Sequence, residues 1–254
     1  MAEVKLRALG LRETDFGDYD RYLTALTEEG RKIEILCKNA RRGNQGKTIA
    51  ARQFCFAEFV LRERGGRFTL QEASIVRDFF AIAEDIEAYA LACYLCELTN
   101  TLTDESEESP ALCRMLLSAL TALCAGKRAK NLVKAAFEWR AMAESGYAPD
   151  LSACGVCGRV IETPPVFFSV RAGQAADKVC ARRIGGDYAR LSEGALRALL
   201  HVLTSEARRV YAFALSGPAA AQFCELAEQY TLYHLGRGFD SLKFYRSLCP
   251  PVFG

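Results

Sequence analysis

The sequence predicts an α+β protein: a small five-stranded barrel, then an α-helical domain carrying a zinc-ribbon-like insertion. Three observations predict it. Short strand-like runs separated by tight turns fill the first 75 residues. Apolar residues then change to three- and four-residue spacing, the period of an amphipathic helix. A Cys-Gly-Val-Cys-Gly knuckle at 154–158 interrupts the helical part.

The strands come first. VKLRALGLRET is strand-like, and YLTALT follows it. A Glu-Glu-Gly turn at 28–30 leads to KIEILCK. FCFAEFVL at 54–61 is aromatic and apolar, and Arg-Gly-Gly-Arg at 64–67 marks a turn before FTLQEAS. Helices follow. Ile75, Phe79, Ile82, Ile86, Tyr89, Cys93 and Cys96 place a first helix over 75–98. The acidic segment 103–109 breaks the pattern, and Pro110 suits the first turn of a second helix that Gly126 stops. A third spans Lys130 to Ser145. SEGALRALLHVL, SEARRVYAFAL and PAAAQFCELAEQYTLYHLG read as three more. The domain boundaries expected are 1–76 for the barrel and 77–254 for the helical domain, with the insertion at 151–184.

A chain of 254 residues allows one large domain or two small ones. Half its residues are hydrophobic, which excludes an intrinsically disordered chain. The net charge of +2 excludes a uniformly basic protein. It is unevenly spread: residues 1–80 carry +3, 81–150 carry −5 and 151–254 carry +4. The sharpest excess, +6, lies at 38–67. The first twelve residues hold no apolar signal-peptide core, and no 18-residue stretch lacks charge. A cytoplasmic protein without a membrane span is expected. Its eleven cysteines are then thiols, packing residues or metal ligands.

Cys154 and Cys157 can point two thiolates at one ion, because the glycines of the knuckle permit a tight turn. A zinc ribbon needs a second such pair about 15–25 residues on. Cys180 is there, but the position three before it is Asp177 and the position three after is Arg183, which cannot be a ligand. Two readings stand. Zinc is held by Cys154, Cys157 and Cys180, with Asp177 as the fourth ligand or that ligand absent, or the metal is lost and the loop folds without it. Cys93 and Cys96 share the same spacing but lie in a helical pattern on its apolar face. They read as buried packing residues, as do Cys37, Cys55, Cys113, Cys124, Cys224 and Cys249.

No catalytic constellation emerges. The two histidines, His201 and His234, lie in helical patterns without a nucleophile in context. Gly43-Asn-Gln-Gly46-Lys47-Thr48 imitates the end of a phosphate loop but has Arg41 where the first glycine belongs, and no helix is evident after it. A binding protein, not an enzyme, is expected. The basic loop Lys38-Asn-Ala-Arg-Arg-Gly-Asn-Gln-Gly-Lys47 suits phosphate neutralisation by Lys38, Arg41, Arg42 and Lys47. Arg182–Arg183 and Arg208–Arg209 add cations from the second half. Phe54, Phe56, Phe59 and Phe68 either stack bases or, as alternation favours, fill the barrel.

Five landmarks in order resemble the RecO family of bacterial recombination mediators. These are the opening LRALGLRETDFGDYDRYLTALTEEGRK, the loop KNARRGNQGK, and Tyr94-Leu-Cys-Glu97-Leu98. The fourth and most specific runs from Phe137-Glu-Trp-Arg-Ala-Met through Gly146-Tyr-Ala-Pro149-Asp-Leu151 to Cys154-Gly-Val-Cys157-Gly. The fifth is Leu235-Gly-Arg-Gly-Phe-Asp-Ser241-Leu-Lys-Phe244. The resemblance implies an N-terminal OB-fold barrel, a helical domain and a zinc-binding insertion. It implies binding of single- and double-stranded DNA, strand annealing, and work beside RecR and single-stranded-DNA-binding protein to load RecA. It also implies a place in the cytoplasm, at the nucleoid. The chain departs from the family pattern at Asp177, where a cysteine often sits. The alternative reading is a non-catalytic adaptor whose barrel is only a scaffold.

Overall fold

The computed structural model describes residues 2–42, 46–161 and 165–249. They form two compact units, one of Met1–Ala125 with Phe239–Gly254 and one of Gly126–Gly238.

The first unit begins with β1 (Ala2–Phe16), β2 (Asp20–Thr27) and β3 (Lys32–Cys37). A five-residue helix α1 (Gly46–Ala50) precedes β4 (Cys55–Arg64) and β5 (Arg67–Asp78). The sheet closes on itself in the order β1-β2-β3-β5-β4, with β4 returning to β1. All pairings are antiparallel except β3 with β5, which meet at Ile35–Phe68 and Leu36–Thr69. Alternation explains the closure. Ile33, Ile35 and Cys37 on β3 point inward while Glu34 faces water. They join Leu23, Ala25, Ala57, Phe59, Leu61 and Leu70 in one core, which Ala50 of α1 and the adjoining Ala51 complete. Each large side chain so buried contributes about 1.5–3 kcal/mol. β1 pairs on both edges and must bend. It does so at Gly10, where the register with β2 shifts. A Cβ at Gly10 would stand 2.1 Å from the Arg52 carbonyl oxygen.

The five N-terminal strands followed by helices are as expected, but the first helix starts later. Ile75 and Val76 stay in β5, where Ile75 pairs with Ala57, and both are exposed. Ladder pairing overrides the local spacing that suggested a helix there. A 3-10 turn at Phe80–Glu84 follows, and α2 runs Ile86–Leu102. Asp85 caps α2 by accepting the backbone N–H groups of Glu87 and Ala88, each at 3.0 Å. α3 (Pro110–Ala125) packs on α2. Gly30 has φ +84°, and a Cβ there would meet the Ser109 carbonyl oxygen, which leads into α3, at 2.0 Å.

The second unit starts with α4 (Lys130–Glu144). A small antiparallel sheet follows, built from β6 (Phe167–Ser169), β7 (Gln174–Ala176) and β8 (Tyr188–Arg190), with α5 (Lys178–Ile184) between the last two. Its order is β7-β6-β8. Helices α6 (Glu193–Thr204) and α7 (Gly217–Leu235) complete the unit. Trp139 of α4 sits at its centre, with the rings of Tyr230 and Phe168 at 5.0 and 6.0 Å. The expected helix over SEARRVYAFAL is not formed; only Ala207–Arg209 make a 3-10 turn. The Arg140 guanidinium explains the break. It donates to the carbonyls of Val202, Leu203 and Ser205 at 2.7–3.1 Å, and so satisfies the end of α6. Val210 and Tyr211 are buried outside any helix.

The chain then returns to the first unit with α8 (Asp240–Leu248), which packs on α2. Among the described residues, no helix is long and apolar enough to cross a membrane. Of the cysteines read as packing residues, Cys124 is exposed, and Cys93, Cys224 and Cys249 are only partly buried.

Candidate nucleic-acid interface and metal centre

The basic loop after β3 is held against the β1–β2 turn. The Asn39 amide donates to Asp20 Oδ1 at 2.8 Å, and the Arg41 amide to the Tyr19 carbonyl at 3.0 Å. Asn39 supports this with φ +55°, a conformation that asparagine tolerates. The Arg41 side chain donates to the Gly17 and Asp18 carbonyls and pairs with Asp15 at 3.5 Å. The Arg42 guanidinium lies 3.5 Å from the centre of the Tyr19 ring. Lys38 projects into solvent, and Lys47 opens α1 half-buried. Residues 43–45, part of the expected loop, lie outside the described residues. A helix does follow Gly46, contrary to expectation, but Thr48 and Ala50 turn inward and make it part of the core.

The phenylalanines near this loop turn inward, as alternation favours, and the exposed aromatics beside it are others. Phe54, Phe56 and Phe59 are buried, and Phe68 is half-buried. The exposed rings are Phe16, at 52%, and Tyr19, at 44%, on either side of the Gly17 turn. Phe16 packs edge-on against Tyr22 at 5.1 Å. The signal available in the sequence was Phe-Gly-Asp-Tyr-Asp, a turn with a ring at each end. Arg21 is not free to bind a ligand: Glu13 and Asp15 hold it. Beyond the turn, a cleft of about 650 Å³ opens over β2, β3 and β5. Tyr22, Arg31, Lys32, Arg67 and Phe68 line it, together with Glu34, Glu63 and Glu105.

Arg208 and Arg209 belong to the second unit, on its 3-10 turn. Both are exposed, and Arg208 pairs with Glu206 at 2.8 Å. Arg182 and Arg183 end α5. His201 contacts Ser205 and the Arg209 carbonyl, and His234 stacks 4.2 Å from Tyr230. Both histidines serve packing.

The knuckle brings together all four residues expected at a metal. The ligand atoms of Cys154, Cys157, Asp177 and Cys180 lie within 4.8 Å of one another. Cys154 starts a turn in which its carbonyl accepts the Gly158 amide at 2.8 Å, with Gly158 at φ +72°. Gly155 is tied to β7 through the Ala175 carbonyl at 2.9 Å. Asp177 divides its carboxylate. Oδ1 caps α5 by accepting the amides of Val179 and Cys180 at 2.8 and 2.9 Å. Oδ2 faces Cys157 Sγ at 3.5 Å. These hydrogen bonds, the Cys180 amide first, hold the Asp177 carboxyl down to about 2. Hydrogen bonds from Arg159 lower the Cys157 thiol; its Nε stands 3.5 Å from Sγ.

This donor set fits a tetrahedral ion. Ligands about 2.3 Å from zinc sit roughly 3.8 Å apart, so the cluster needs only a small contraction. It can hold a metal ion through three thiolates and one carboxylate.

A closed five-stranded sheet, a helical body and a thiol-rich knuckle together define an α+β class of protein with a metal-type insertion. The chain belongs to the RecO family of DNA repair proteins. The family model described as recombination protein O N terminal matches residues 1–79, and that described as recombination protein O C terminal matches 83–243. Relatives that carry the name DNA repair protein RecO include the following three. That of Anaeromyxobacter sp. strain K is 31% identical over 98% of both chains. That of Anaeromyxobacter dehalogenans strain 2CP-C is 30% identical over 100% of both. That of Acetivibrio thermocellus is 25% identical over 98% of both.

Proposed function

We propose that this chain is a DNA-binding recombination mediator of a RecF-type repair pathway. It binds single- and double-stranded DNA, lets complementary strands anneal, and with RecR assists the loading of RecA onto strands that single-stranded-DNA-binding protein has covered. It works in the cytoplasm, at the nucleoid. The observation that carries this reading is the basic loop packed on an aromatic turn. Lys38, Arg41, Arg42 and Lys47 supply cations, and Phe16 and Tyr19 supply exposed rings next to them. Phosphates are neutralised by the first set, and unpaired bases stack on the second.

No covalent step is needed. Neutralising two backbones lowers the repulsion between strands and leaves their base edges free to pair. In this reading the ring of residues 1–76 is the DNA-binding domain, and Arg208 and Arg209 add phosphate contacts from the helical domain of 77–254. The insertion of 151–184 holds one zinc through Cys154, Cys157, Cys180 and Asp177. Zinc bound there would supply a cross-link between the knuckle and α5, with no coordination position left for chemistry.

A mobility-shift titration with a single-stranded oligonucleotide tests the proposal. Four phosphate contacts on a single strand predict affinity falling roughly 50-fold between 50 and 200 mM salt. The absence of any complex at low salt would favour the adaptor reading.

A further inference from the structure

We propose that Cys157, Cys154 and Cys180 form a two-electron thiol switch that a hydroperoxide triggers at Cys157. The inference rests on the zinc reading for its metal-release step; the thiol chemistry stands without it.

The three thiols differ in access. Cys157 is exposed on the knuckle, whereas Cys154 and Cys180 are buried. The oxidant therefore meets Cys157 first, and the two sulfurs able to resolve the oxidised product already lie within 4.8 Å. In the first step the Cys157 thiolate attacks one peroxide oxygen. An S–O bond forms, the O–O bond breaks, and hydroxide leaves, giving a sulfenic acid. In the second step the thiolate of Cys154 or Cys180 attacks that sulfur and expels a second hydroxide, which forms the disulfide. Two sulfurs have given up two electrons, and both peroxide oxygens are reduced. Bond formation requires the sulfurs to close to about 2.05 Å, which a side-chain rotation of Cys157 on the surface turn can supply.

The aspartate makes the switch stop there. With four cysteines a second disulfide could follow. Here one disulfide uses two of three sulfurs and leaves one thiol with the Asp177 carboxylate. Two donors do not hold zinc in a four-coordinate site, so the ion leaves. A thiol reductant restores both sulfurs and the site.

The experiment uses the full-length chain, with zinc measured by atomic emission, exposed to hydrogen peroxide. Non-reducing peptide mapping follows the disulfides, and a chromogenic chelator follows zinc. The expected result is one disulfide joining Cys157 to Cys154 or Cys180, with release of one zinc per chain, both reversed by reductant. Exposed Cys124 serves as the internal reference and should oxidise at least tenfold more slowly. Cys157→Ser should abolish the disulfide, and Cys124→Ser should leave it unchanged. A Cys154–Cys180 disulfide, over-oxidation of Cys157 without pairing, or faster oxidation of Cys124 would overturn the proposal. If the isolated chain holds no zinc, the zinc reading fails and the peptide map alone decides the switch.

Discussion

Glu97 of α2 holds Ser241 at the start of α8, although 144 residues separate them. One carboxylate oxygen, Oε2, accepts the Ser241 amide at 3.3 Å and also its hydroxyl. The Tyr94 and Phe239 rings meet edge-on at 5.5 Å one turn away. Two of the family-like motifs, Tyr-Leu-Cys-Glu-Leu and the closing Ser-Leu-Lys-Phe, are thus two halves of one contact. It returns the end of the chain to the first unit. Glu97→Ala removes a charged acceptor from a half-buried site and should cost about 1–3 kcal/mol. Urea denaturation of the variant measures this; a midpoint equal to the parent's would refute the clamp.

Lys134 is buried on α4 against Glu138, which is wholly buried, and also pairs with Glu228 at 2.8 Å. Lys134→Met removes the cation from beside buried Glu138 and should destabilise by about 3–5 kcal/mol, whereas the double change Lys134→Met with Glu138→Leu should recover most of the loss. Burial alone would lower the lysine, but Glu138 and Glu228 outweigh it and raise it above 10.5. Its folded value thus exceeds its unfolded one. The stabilisation is complete below about pH 10.5 and is lost as pH rises through the folded value. Thermal melts carried from pH 9 to above 10.5 should show the parent keeping this increment below about 10.5 and losing it progressively above, while the double variant shows no such loss.

The proposed interface divides into charge and stacking. Replacing Lys38, Arg41, Arg42 and Lys47 together by alanine should flatten the salt dependence of single-strand binding by about 3 in log–log slope. Phe16→Ala with Tyr19→Ala should instead weaken binding by about 1–3 kcal/mol per lost base stack and leave the slope in place. Fluorescence anisotropy across a salt series separates the two. Because Arg41 already pairs with half-exposed Asp15, Asp15→Asn should tighten binding modestly.

Asp177→Asn tests the fourth ligand without removing the helix cap, since asparagine also caps helices. Zinc affinity, measured by chelator competition, should fall while the helical circular dichroism is kept. Asp177→Cys should restore or strengthen zinc binding. Equal affinity in the asparagine variant and the parent would remove Asp177 from the ligand set.

The cap gives an acid signature in the metal-free chain. Asp177 is held near 2, below its ordinary 3.8, so it contributes stability above about pH 4. That contribution fades as pH falls through the folded value. Protection of the Val179 and Cys180 amides, corrected for the intrinsic pH dependence of exchange, should fall over pH 4 to 2 more than elsewhere in α5, and Asp177→Ala should remove that pH dependence.

Much of the architecture was legible because it rests on local rules. Alternation and turn glycines marked the strands, Pro110 marked the start of α3, and the cysteine spacing marked the knuckle. The misplaced elements were those where distant groups decide. Ile75 obeys a helical spacing but pairs with Ala57 across the sheet. The segment after Ser205 has helical composition, yet Arg140, about 65 residues earlier, takes the carbonyls that would continue the helix. Alternation placed the phenylalanines of 54–68 inward, as found, but the exposed rings of Phe16 and Tyr19 beside the basic loop carry no periodic signal.

The sequence by itself determined the α+β class, the basic loop, and the identities of the four residues at the knuckle. Those follow from composition, period and spacing, which are local properties of the chain. Only the tertiary structure decided what the charges and donors face. It laid Arg41 on Asp15 and Arg42 on Tyr19, exposed Phe16, and brought Asp177 to 3.5 Å from Cys157 while its other oxygen capped α5. The reason is physical: a side chain's partners are set by ring closure and helix packing, which join residues that no sequence period relates.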